Sequence, residues 1–350
     1  MSRVVLVTGV SRYLGSRLAA LLSADPAVDR VIGVDTTPPS KADLALLGRT
    51  EFMRADIRNP LIAKVIAQAN VETVVHASVT ATPSLSGGRA SMKEMNVIGT
   101  MQLLAACQKS DTVRRLVVKS TTSVYGSSGH DPAVFTEEQP ARRLPSAGYA
   151  KDAVEVEGYV RGFGRRRPDI AVTVLRFANF IGPVIVSPMT RYFAMPVVPT
   201  ALGFDPRLQF LHEEDAVEVL RLAATADRPG VFNVAGEGTM ILSQAIRRAG
   251  RVSVPIPLPA VQLVARMLRS SGRADFSPEQ LQFLIYGRTV DITRLKTTFG
   301  YTPKRGTAQA YADYLRRRPV PPIVAPERVR QAESMLNGLA RAGLGVISRA

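Results

Sequence analysis

Short apolar runs alternate with amphipathic stretches through the first half of the chain. After the first run, apolar residues recur at helical spacing, as Leu14, Leu18 and Leu22 do. The runs that read as strands cover residues 4–7, 31–34, 51–54, 73–76, 116–118 and 171–175. Strands that alternate with helices pair in parallel through right-handed crossovers. The pattern therefore predicts an α/β fold with a doubly wound parallel sheet over residues 1–178.

The turn between the first strand and the first helix has the composition of a phosphate-binding turn. Gly9 and Gly15 keep glycine-rich spacing, but Arg12 stands where the middle glycine belongs. The second strand ends on Asp35, about 20 residues on, where a carboxylate can accept hydrogen bonds from both hydroxyls of an adenosine ribose. The alternative is an ordinary parallel-sheet turn without a ligand. We expect a dinucleotide against Gly9, Ser11, Arg12, Tyr13, Leu14 and Gly15.

Asp35 and Arg12 point to different cofactors. Asp35 would repel the 2′-phosphate of NADP, which favours NAD. Ser11 and Arg12 resemble a turn in which an arginine holds that phosphate, and Arg12 could also reach the pyrophosphate or pair with Asp35. We expect NAD, and NADP stays open through Arg12.

Further candidate ligands follow the third and fourth strands. Asp56 comes just after the third strand, where it can accept from an adenine amino group or cap the next helix. His76 ends the fourth strand and faces the crevice where open parallel sheets bind ligands. A lone histidine at this place can equally be structural.

From Asn179 onward, prolines interrupt the apolar runs. Residues 179–318 carry shorter strand and helix patterns, which predict a smaller mixed α/β lobe interleaved with the last crossings of the sheet. A proline linker follows over 319–326, and 327–341 reads as a basic amphipathic helix. We expect a dinucleotide-binding domain at 1–178, a substrate lobe at 179–318 and a helical tail at 319–350.

Composition narrows the class of protein. The chain has 350 residues, of which 46% are hydrophobic, so it can bury a globular core. Its single cysteine, Cys107, excludes a disulfide framework, and no Cys/His cluster indicates a metal site. We expect no leader before the first strand, and no run of about 18 apolar residues could span a membrane. We expect a cytoplasmic protein that holds no metal.

The net charge of +16 raises the question of nucleic acid. The arginines come in short clusters and only 6% of residues are aromatic, so no stacking platform for bases is evident. We expect no nucleic acid; anionic substrates suit the charge better. The arginines of 319–350 predict a weak, salt-sensitive contact with an anionic membrane surface, and packing of that helix on the protein or on a dimer mate is the alternative.

Several motifs in fixed order resemble a known family. They are Thr8-Gly9 with Gly15, Asp35, Ala55-Asp56-Ile57, Val75-His76-Ala77, Asn96 to Thr100, Ser120-Thr121 with Val124-Tyr125-Gly126, Leu175-Arg176-Phe177 with Asn179, and Asp291-Ile292-Thr293-Arg294 with Phe299-Gly300-Tyr301 and Pro303. The chain resembles an extended short-chain dehydrogenase/reductase of the NAD-dependent epimerase/dehydratase type, with a Rossmann sheet. Among its members it is similar to actinobacterial proteins labelled UDP-glucose 4-epimerases. The resemblance adds Ile57, Ala77, Ser78 and Asn96 to the cofactor-binding residues.

The resemblance also implies catalytic roles. Thr121 would orient a sugar hydroxyl, and Tyr149 would remove its proton as hydride moves to the nicotinamide. The family lysine four residues beyond the tyrosine is Ala153 here; in another register Lys151 is that lysine, and the tyrosine position falls on Ala147. An unassisted tyrosine with a pKa of about 10 starts as the base at a cost of roughly 4 kcal/mol at pH 7.

The resemblance implies a nucleotide-linked sugar as the substrate, with Asn179 and Arg207 as residues that hold its diphosphate. Sugar dehydratases of the family carry Asp-Glu where this chain has Thr122-Ser123, so elimination of water lacks its acid and base. We expect an NAD(P)-dependent epimerase or reductase of UDP-sugar 4-epimerase type, acting as a homodimer. The alternative is a protein of the same fold that has lost hydride chemistry and acts by binding.

Overall fold

The computed structural model describes residues 3–79, 88–139, 144–145, 148–270, 277–317 and 327. Its strands are β1 (Val4–Thr8), β2 (Arg30–Asp35), β3 (Glu51–Arg54), β4 (Thr73–His76), β5 (Arg115–Thr121), β6 (Ala171–Phe177), β7 (Asn179–Ile181), β8 (Val197–Ala201), β9 (Arg207–Leu208), β10 (Phe210–His212), β11 (Gly230–Val234), β12 (Met240–Ile241) and β13 (Val252–Ile256).

The α-helices lie mostly between these strands. They are α1 (Tyr13–Ala24), α2 (Lys41–Leu46), α3 (Leu61–Gln68), α4 (Gly88–Lys93), α5 (Gly99–Gln108), α6 (Gly148–Arg166), α7 (Pro188–Ala194), α8 (Glu213–Thr225), α9 (Leu242–Arg248), α10 (Leu258–Ser270), α11 (Pro278–Tyr286) and α12 (Thr307–Arg316). A π-helical turn (Glu94–Ile98) joins α4 to α5, and a 3₁₀ turn (Thr122–Tyr125) follows β5.

Seven parallel strands form the main sheet in the order β3-β2-β1-β4-β5-β6-β11. The predicted doubly wound sheet is confirmed. The seventh strand comes from 230–234, inside the stretch predicted as the second lobe, and it pairs with β6. The strand order reverses between β1 and β4, and a crevice at such a reversal binds the ligand in folds of this kind.

The alternation of side chains in β1 sorts the core into two layers. Val5 and Val7 pack with residues of α1 and α8, whereas Val4 and Leu6 pack with residues of α3, α5 and α6. All four valine and leucine side chains are buried. Both faces of the sheet are therefore covered, as an all-parallel sheet requires.

A third apolar cluster holds the second lobe together. Aromatic rings of Phe193, Phe210 and Tyr311 meet in it, with centroids 5.1 to 6.1 Å apart. Three two-stranded sheets, β7 with β10, β8 with β13 and β9 with β12, frame this cluster. The lobe lies beyond the carboxyl ends of β5 and β6, because β7 follows β6 after a single residue.

A buried ion pair joins the sheet to α6. Arg176 of β6 donates to both carboxylate oxygens of Glu157, at 3.0 and 2.7 Å. Glu157 also accepts from Ser120 of β5 at 2.6 Å. Arg176 donates in addition to the hydroxyl of Tyr125 at 2.8 Å, and that hydroxyl donates to Asn233 of β11 at 2.8 Å. One guanidinium thus connects β5, β6, β11 and α6.

The helical tail predicted over 319–350 lies outside the described residues, apart from Glu327. Among the helices that the structure describes, none is long and apolar enough to cross a membrane. The described residues also contain no group of three or more His, Cys, Asp or Glu side chains that could hold a metal ion.

We expect Arg176→Met to lower the free energy of unfolding by about 3–5 kcal/mol, because it leaves the Glu157 carboxylate buried and unpaired. The matched control is Arg30→Met, which removes an equally bidentate but exposed pair with Glu51 and should cost less than about 1 kcal/mol. Urea unfolding followed by circular dichroism measures both. Equal losses in the two variants would contradict a special role for the buried pair.

Candidate active site

The turn after β1 brings backbone unusually close to backbone. Gly9 has φ +78°, and a Cβ on it would lie 2.9 Å from Cα of Ser78. A Cβ on Gly15 would lie 2.1 Å from the carbonyl oxygen of Gly9. Both positions therefore need glycine, and the first turn of α1 lies directly against the end of β1. This is the close approach that a dinucleotide-binding turn uses.

Arg12 occupies the N-cap position of α1, and its side chain makes no capping hydrogen bond. It lines a small recess together with Gly9, Asp35, Ile57 and Ser78, and it also lines the large cavity described below. Arg12 therefore stands between the two spaces that the halves of a dinucleotide would take. A guanidinium at that point suits the pyrophosphate between them.

The carboxylate of Asp35 is held in place by the turn itself. It accepts from the backbone N–H of Ser11 at 3.1 Å and from that of Thr36 at 2.8 Å. Oδ1 also takes longer contacts from Thr36 Oγ1 at 3.5 Å and Thr37 N at 3.4 Å, whereas Oδ2 is given one donor, Ser11, and keeps a lone pair for a ribose hydroxyl. The glycine cradle and this oriented acid fit an adenosine dinucleotide.

Asp56 is also oriented, but by a different partner. Arg58 donates to it at 2.6 to 3.0 Å, and this hydrogen-bonded guanidinium holds the pKa of Asp56 below its usual range. Ile57, the next residue, is buried, and its side chain lies where a Cβ on Gly99 would be 2.8 Å away. Gly99 thus allows α5 to pack on the loop that bounds the adenosine side.

His76 and Asn96 are buried supports, and neither lines the cavity. The ring of His76 contacts the hydroxyl of Thr8 at 3.0 Å and that of Thr100 at 2.8 Å, which ties β1 and β4 to α5. Burial, helped by the charge of Lys119, lowers the pKa of His76 to about 3, so the ring is neutral. This placement agrees with the alternative that His76 has a structural role.

A cavity of about 470 Å³ opens beyond the carboxyl ends of β4, β5 and β6. The predicted residues that line it are Arg12, Tyr13, Leu14, Ala77, Thr121, Tyr149 and Asn179. Arg207 is not among the lining residues; it lies in the two-residue strand β9 and is exposed. The fold therefore brings together residues from the dinucleotide turn, from three strand ends and from α6.

Thr121 and Tyr149 meet on the wall of this cavity. Both side chains line the cavity and their hydroxyls lie close enough to interact, although 28 residues separate them in the sequence. Burial first, and then the nearby carboxylate of Asp152, raise the pKa of Tyr149. Asp152 is fully buried and accepts from Arg89 at 2.7 Å on each oxygen, which anchors the first turn of α6. Tyr149 is thus well placed but protonated at neutral pH.

The position that the family lysine takes, four residues after Tyr149, carries no charged side chain in this chain. Ala153 is 1% exposed and packs in the core one helical turn after Tyr149. Lys151 is exposed on the other side of α6, where it lies 4.0 Å from Glu155. Of the two registers considered from the sequence, the one with Tyr149 at the tyrosine position places a phenol on the cavity wall.

Sequence reasoning missed three basic residues of the wall, Lys119, Arg191 and Arg288. Lys119 is 8% exposed and donates to the carbonyl of Val79, and it lies on the same face of β5 as Thr121. Burial, and then the charge of Arg12, lower the pKa of Lys119 to about 7. A lysine inside an otherwise apolar strand was a readable signal for this residue. Arg288 had no such signal.

This site defines a class: proteins that bind a dinucleotide at the strand reversal of a doubly wound sheet and open a second cavity beside it. The sequence profile described as the NAD dependent epimerase/dehydratase family matches residues 5–235. The chain belongs to this family of enzymes. The predicted resemblance is confirmed, and so is NAD as the cofactor.

Two relatives show how far sequence similarity reaches. An uncharacterized protein of Mycobacterium tuberculosis is 52% identical over 339 residues, which are 97% of this chain and 90% of that protein. UDP-glucose 4-epimerase 2 of Oryza sativa subsp. japonica is 31% identical over 191 residues, which are 51% of this chain and 45% of that protein.

Solved structures share the fold over nearly the whole chain. dTDP-glucose 4,6-dehydratase from Bacillus anthracis, in complex with NAD, aligns with a TM-score of 0.69 at 18% identity, over 90% of this chain and 96% of that one. UDP-glucose 4-epimerase from Thermotoga maritima, with UDP-glucose, aligns with a TM-score of 0.68 at 19% identity, over 90% of this chain and 98% of that one. At these identities the likeness shows the fold alone.

We expect NADH to bind at least about tenfold more tightly than NADPH, because the Asp35 carboxylate repels a 2′-phosphate. Asp35→Asn keeps an acceptor for Ser11 and removes the charge, so the preference should shrink to less than about threefold. Asp56→Asn is the control, since that acid is already paired with Arg58. Calorimetry measures both cofactors; tighter binding of NADPH to the unaltered protein would reverse the choice.

The lowered pKa of Lys119 leads us to expect that the free energy of unfolding depends on pH. In the unfolded chain its pKa is about 10.4, so between about pH 7 and 10.4 the unfolded state binds more protons than the folded state. The free energy of unfolding therefore rises with pH across that window. In Lys119→Met this rise disappears, a difference on the order of 3 kcal/mol between pH 7 and 10.

Denaturant unfolding at pH 7 and at pH 10 measures this difference. Lys151→Met is the control, because that side chain is 46% exposed and its removal should leave the pH dependence unchanged. If Lys119→Met and the unaltered protein show the same pH dependence, the amine is not desolvated in the folded state.

Proposed function

We propose that the protein is an NAD-dependent epimerase or reductase that acts on a nucleotide-linked sugar. The neighbouring hydroxyls of Thr121 and Tyr149, on the wall of the cavity beside the dinucleotide turn, carry this proposal. A substrate hydroxyl that enters between these two groups would be oriented by Thr121 and would lie within reach of the phenol. NAD, when bound, supplies the hydride acceptor.

Different residues of the chain would then bind the cofactor, remove the proton and exclude water. Gly9, Gly15 and Asp35 hold the adenosine half of the cofactor, and Arg12 faces its pyrophosphate. Tyr149 takes the proton from the hydroxyl, and the apolar wall around Phe177 excludes water from the reacting carbon.

The charges of the cavity support a nucleotide-linked substrate. Among the described residues that line it, Arg12, Lys119, Arg191 and Arg288 are basic, and Glu279 is the one carboxylic acid. A nucleoside diphosphate carries two negative charges into such a cavity, where few counter-charges compete for them. Asn179 and Arg191 are our candidates for the diphosphate, while Arg207 remains a candidate only if its side chain turns toward the cavity.

Epimerisation or reduction fits the site better than elimination of water. Thr122 and Ser123 stand where an acid and a base would be needed, and both hydroxyls accept hydrogen bonds from Arg288. A hydroxyl with a pKa far above 7 beside a cation cannot serve as a base for a C–H proton. We therefore propose a reaction at one carbinol carbon.

A second candidate function is binding without hydride chemistry. Ala153 favours it, because no cation lies one turn beyond Tyr149 to stabilise a phenolate. In that case the protein would bind NAD and a nucleotide sugar and would not turn the sugar over.

We expect Ala153→Lys to raise turnover of a UDP-sugar, because an ammonium at i+4 lies beside the Tyr149 phenol and lowers its pKa. The limb of the pH–rate profile on which the rate rises as the phenol loses its proton should move to lower pH by about 1–2 units. Ala153→Met is the control, since it fills the same buried space without a charge.

Tyr149→Phe completes the experiment. If Tyr149 is the base, this variant loses turnover with NAD binding intact, and adding Ala153→Lys to it gives no gain. If Ala153→Lys changes nothing and Tyr149→Phe also has no effect, Tyr149 is not the base and the binding function is preferred.

A further inference from the structure

Arg288 presents a cation to the cavity with only neutral partners. It follows α11 and Gly287, where φ is +73° and a Cβ would lie 2.4 Å from the carbonyl oxygen of Arg207. Its guanidinium reaches across to the turn after β5 and donates to four groups: Thr122 Oγ1 at 3.3 Å, Ser123 Oγ at 2.9 Å, the Gly126 carbonyl at 2.8 Å and Ser127 Oγ at 3.2 Å.

The guanidinium has no carboxylate partner among the described residues. The two acids whose charge reaches it are Asp131 and Glu279, and the hydrogen bonds that the structure gives its guanidinium all go to neutral groups. A Cβ on Gly148 would lie 1.7 Å from Glu279 Oε1, so that carboxylate is directed toward the start of α6. Burial lowers the pKa of Arg288 to about 10, so the group stays a cation at neutral pH.

A partly desolvated cation without a counter-charge is costly, and a bound anion offsets that cost. A guanidinium has five N–H donors, of which the four neutral partners take four. One N–H of Nη2 is left, next to the hydroxyl of Ser123. The wall thus offers an anion one guanidinium donor and a hydroxyl that can rotate to donate.

The distance between this cation and the reacting hydroxyl indicates which anionic group of the substrate it can contact. Thr121 Oγ1 donates to Ser123 Oγ at 3.2 Å, and Ser123 Oγ accepts from Arg288 at 2.9 Å. Arg288 is therefore one side chain away from the group that orients the substrate hydroxyl. A carboxylate on the ring carbon next to the reacting carbinol lies at that range, whereas the diphosphate leaves the sugar from the anomeric carbon, across the ring.

We propose that Arg288, with Ser123, binds a carboxylate on the sugar, so that the substrate is a nucleotide-linked uronic acid. The inference rests on the proposed function, because it takes Thr121 and Tyr149 as the residues that hold the reacting hydroxyl. Arg288 is then a specificity-determining residue that lies beside the catalytic pair and leaves the hydride step to it.

Calorimetry on the full-length protein saturated with NAD tests the proposal, with UDP-glucuronic acid and UDP-glucose as probes. These two ligands differ only in the group at C6. The unaltered protein should bind UDP-glucuronic acid at least about tenfold more tightly, as expected for a charge-assisted contact. Arg288→Met should remove that preference and change the affinity for UDP-glucose by less than about threefold.

Arg294→Met is the matched control. Arg294 is also a partly exposed arginine that lies over a phenylalanine ring, at 5.5 Å from Phe232, as Arg288 lies 5.2 Å from Phe283. Arg294 does not line the cavity, so its removal should leave the preference intact. Arg288→Lys keeps the charge and should keep part of the preference. Melting temperature and NAD affinity report whether each variant is folded.

Each outcome decides one point. Equal binding of both sugars by the unaltered protein overturns the carboxylate proposal and leaves the proposed function standing, and this reading needs no variant. Equal weakening of UDP-glucose, UDP-glucuronic acid and UDP itself in Arg288→Met assigns Arg288 to the diphosphate and also overturns it. Binding of neither sugar, with NAD binding intact, overturns the proposed function and the carboxylate proposal together.

Discussion

The buried ion pair between Arg176 and Glu157 is the contact on which the geometry of the site depends. Glu157 lies two turns after Tyr149 on α6, and it also accepts from Ser120, the neighbour of Thr121 on β5. The pair therefore sets how far the helix that carries the phenol stands from the strand that carries the threonine. A buried pair of this kind is costly to break by removing one partner, so the hydroxyls of Thr121 and Tyr149 are held in register.

Two departures from the family pattern change the charge of the site. Arg12 replaces a glycine in the turn, and Ala153 replaces the lysine of α6. Lys119 and Arg288 bring cations into the cavity from β5 and from the segment after α11, while the position four residues after Tyr149 carries no charge.

Much of the fold was readable from the sequence, because its signals are local. Gly9, Gly15 and Asp35 lie within one βαβ unit, and their spacing follows from strand and helix lengths. The alternation of apolar runs and amphipathic helices predicted the parallel sheet for the same reason. Thr121 and Tyr149 were found through the resemblance, and their meeting on one wall agrees with it.

What only the tertiary structure decided depends on contacts between distant residues. Arg288 meets Ser123 across 165 positions, and no local pattern announces such a contact. His76 was expected at the crevice, yet the packing of α5 on the sheet buries its ring among hydroxyls. Strand β11 joins the sheet from beyond the predicted domain boundary. Burial and charge at a site are sums over many elements, so the sequence determined which groups are available and the fold determined which of them face one another.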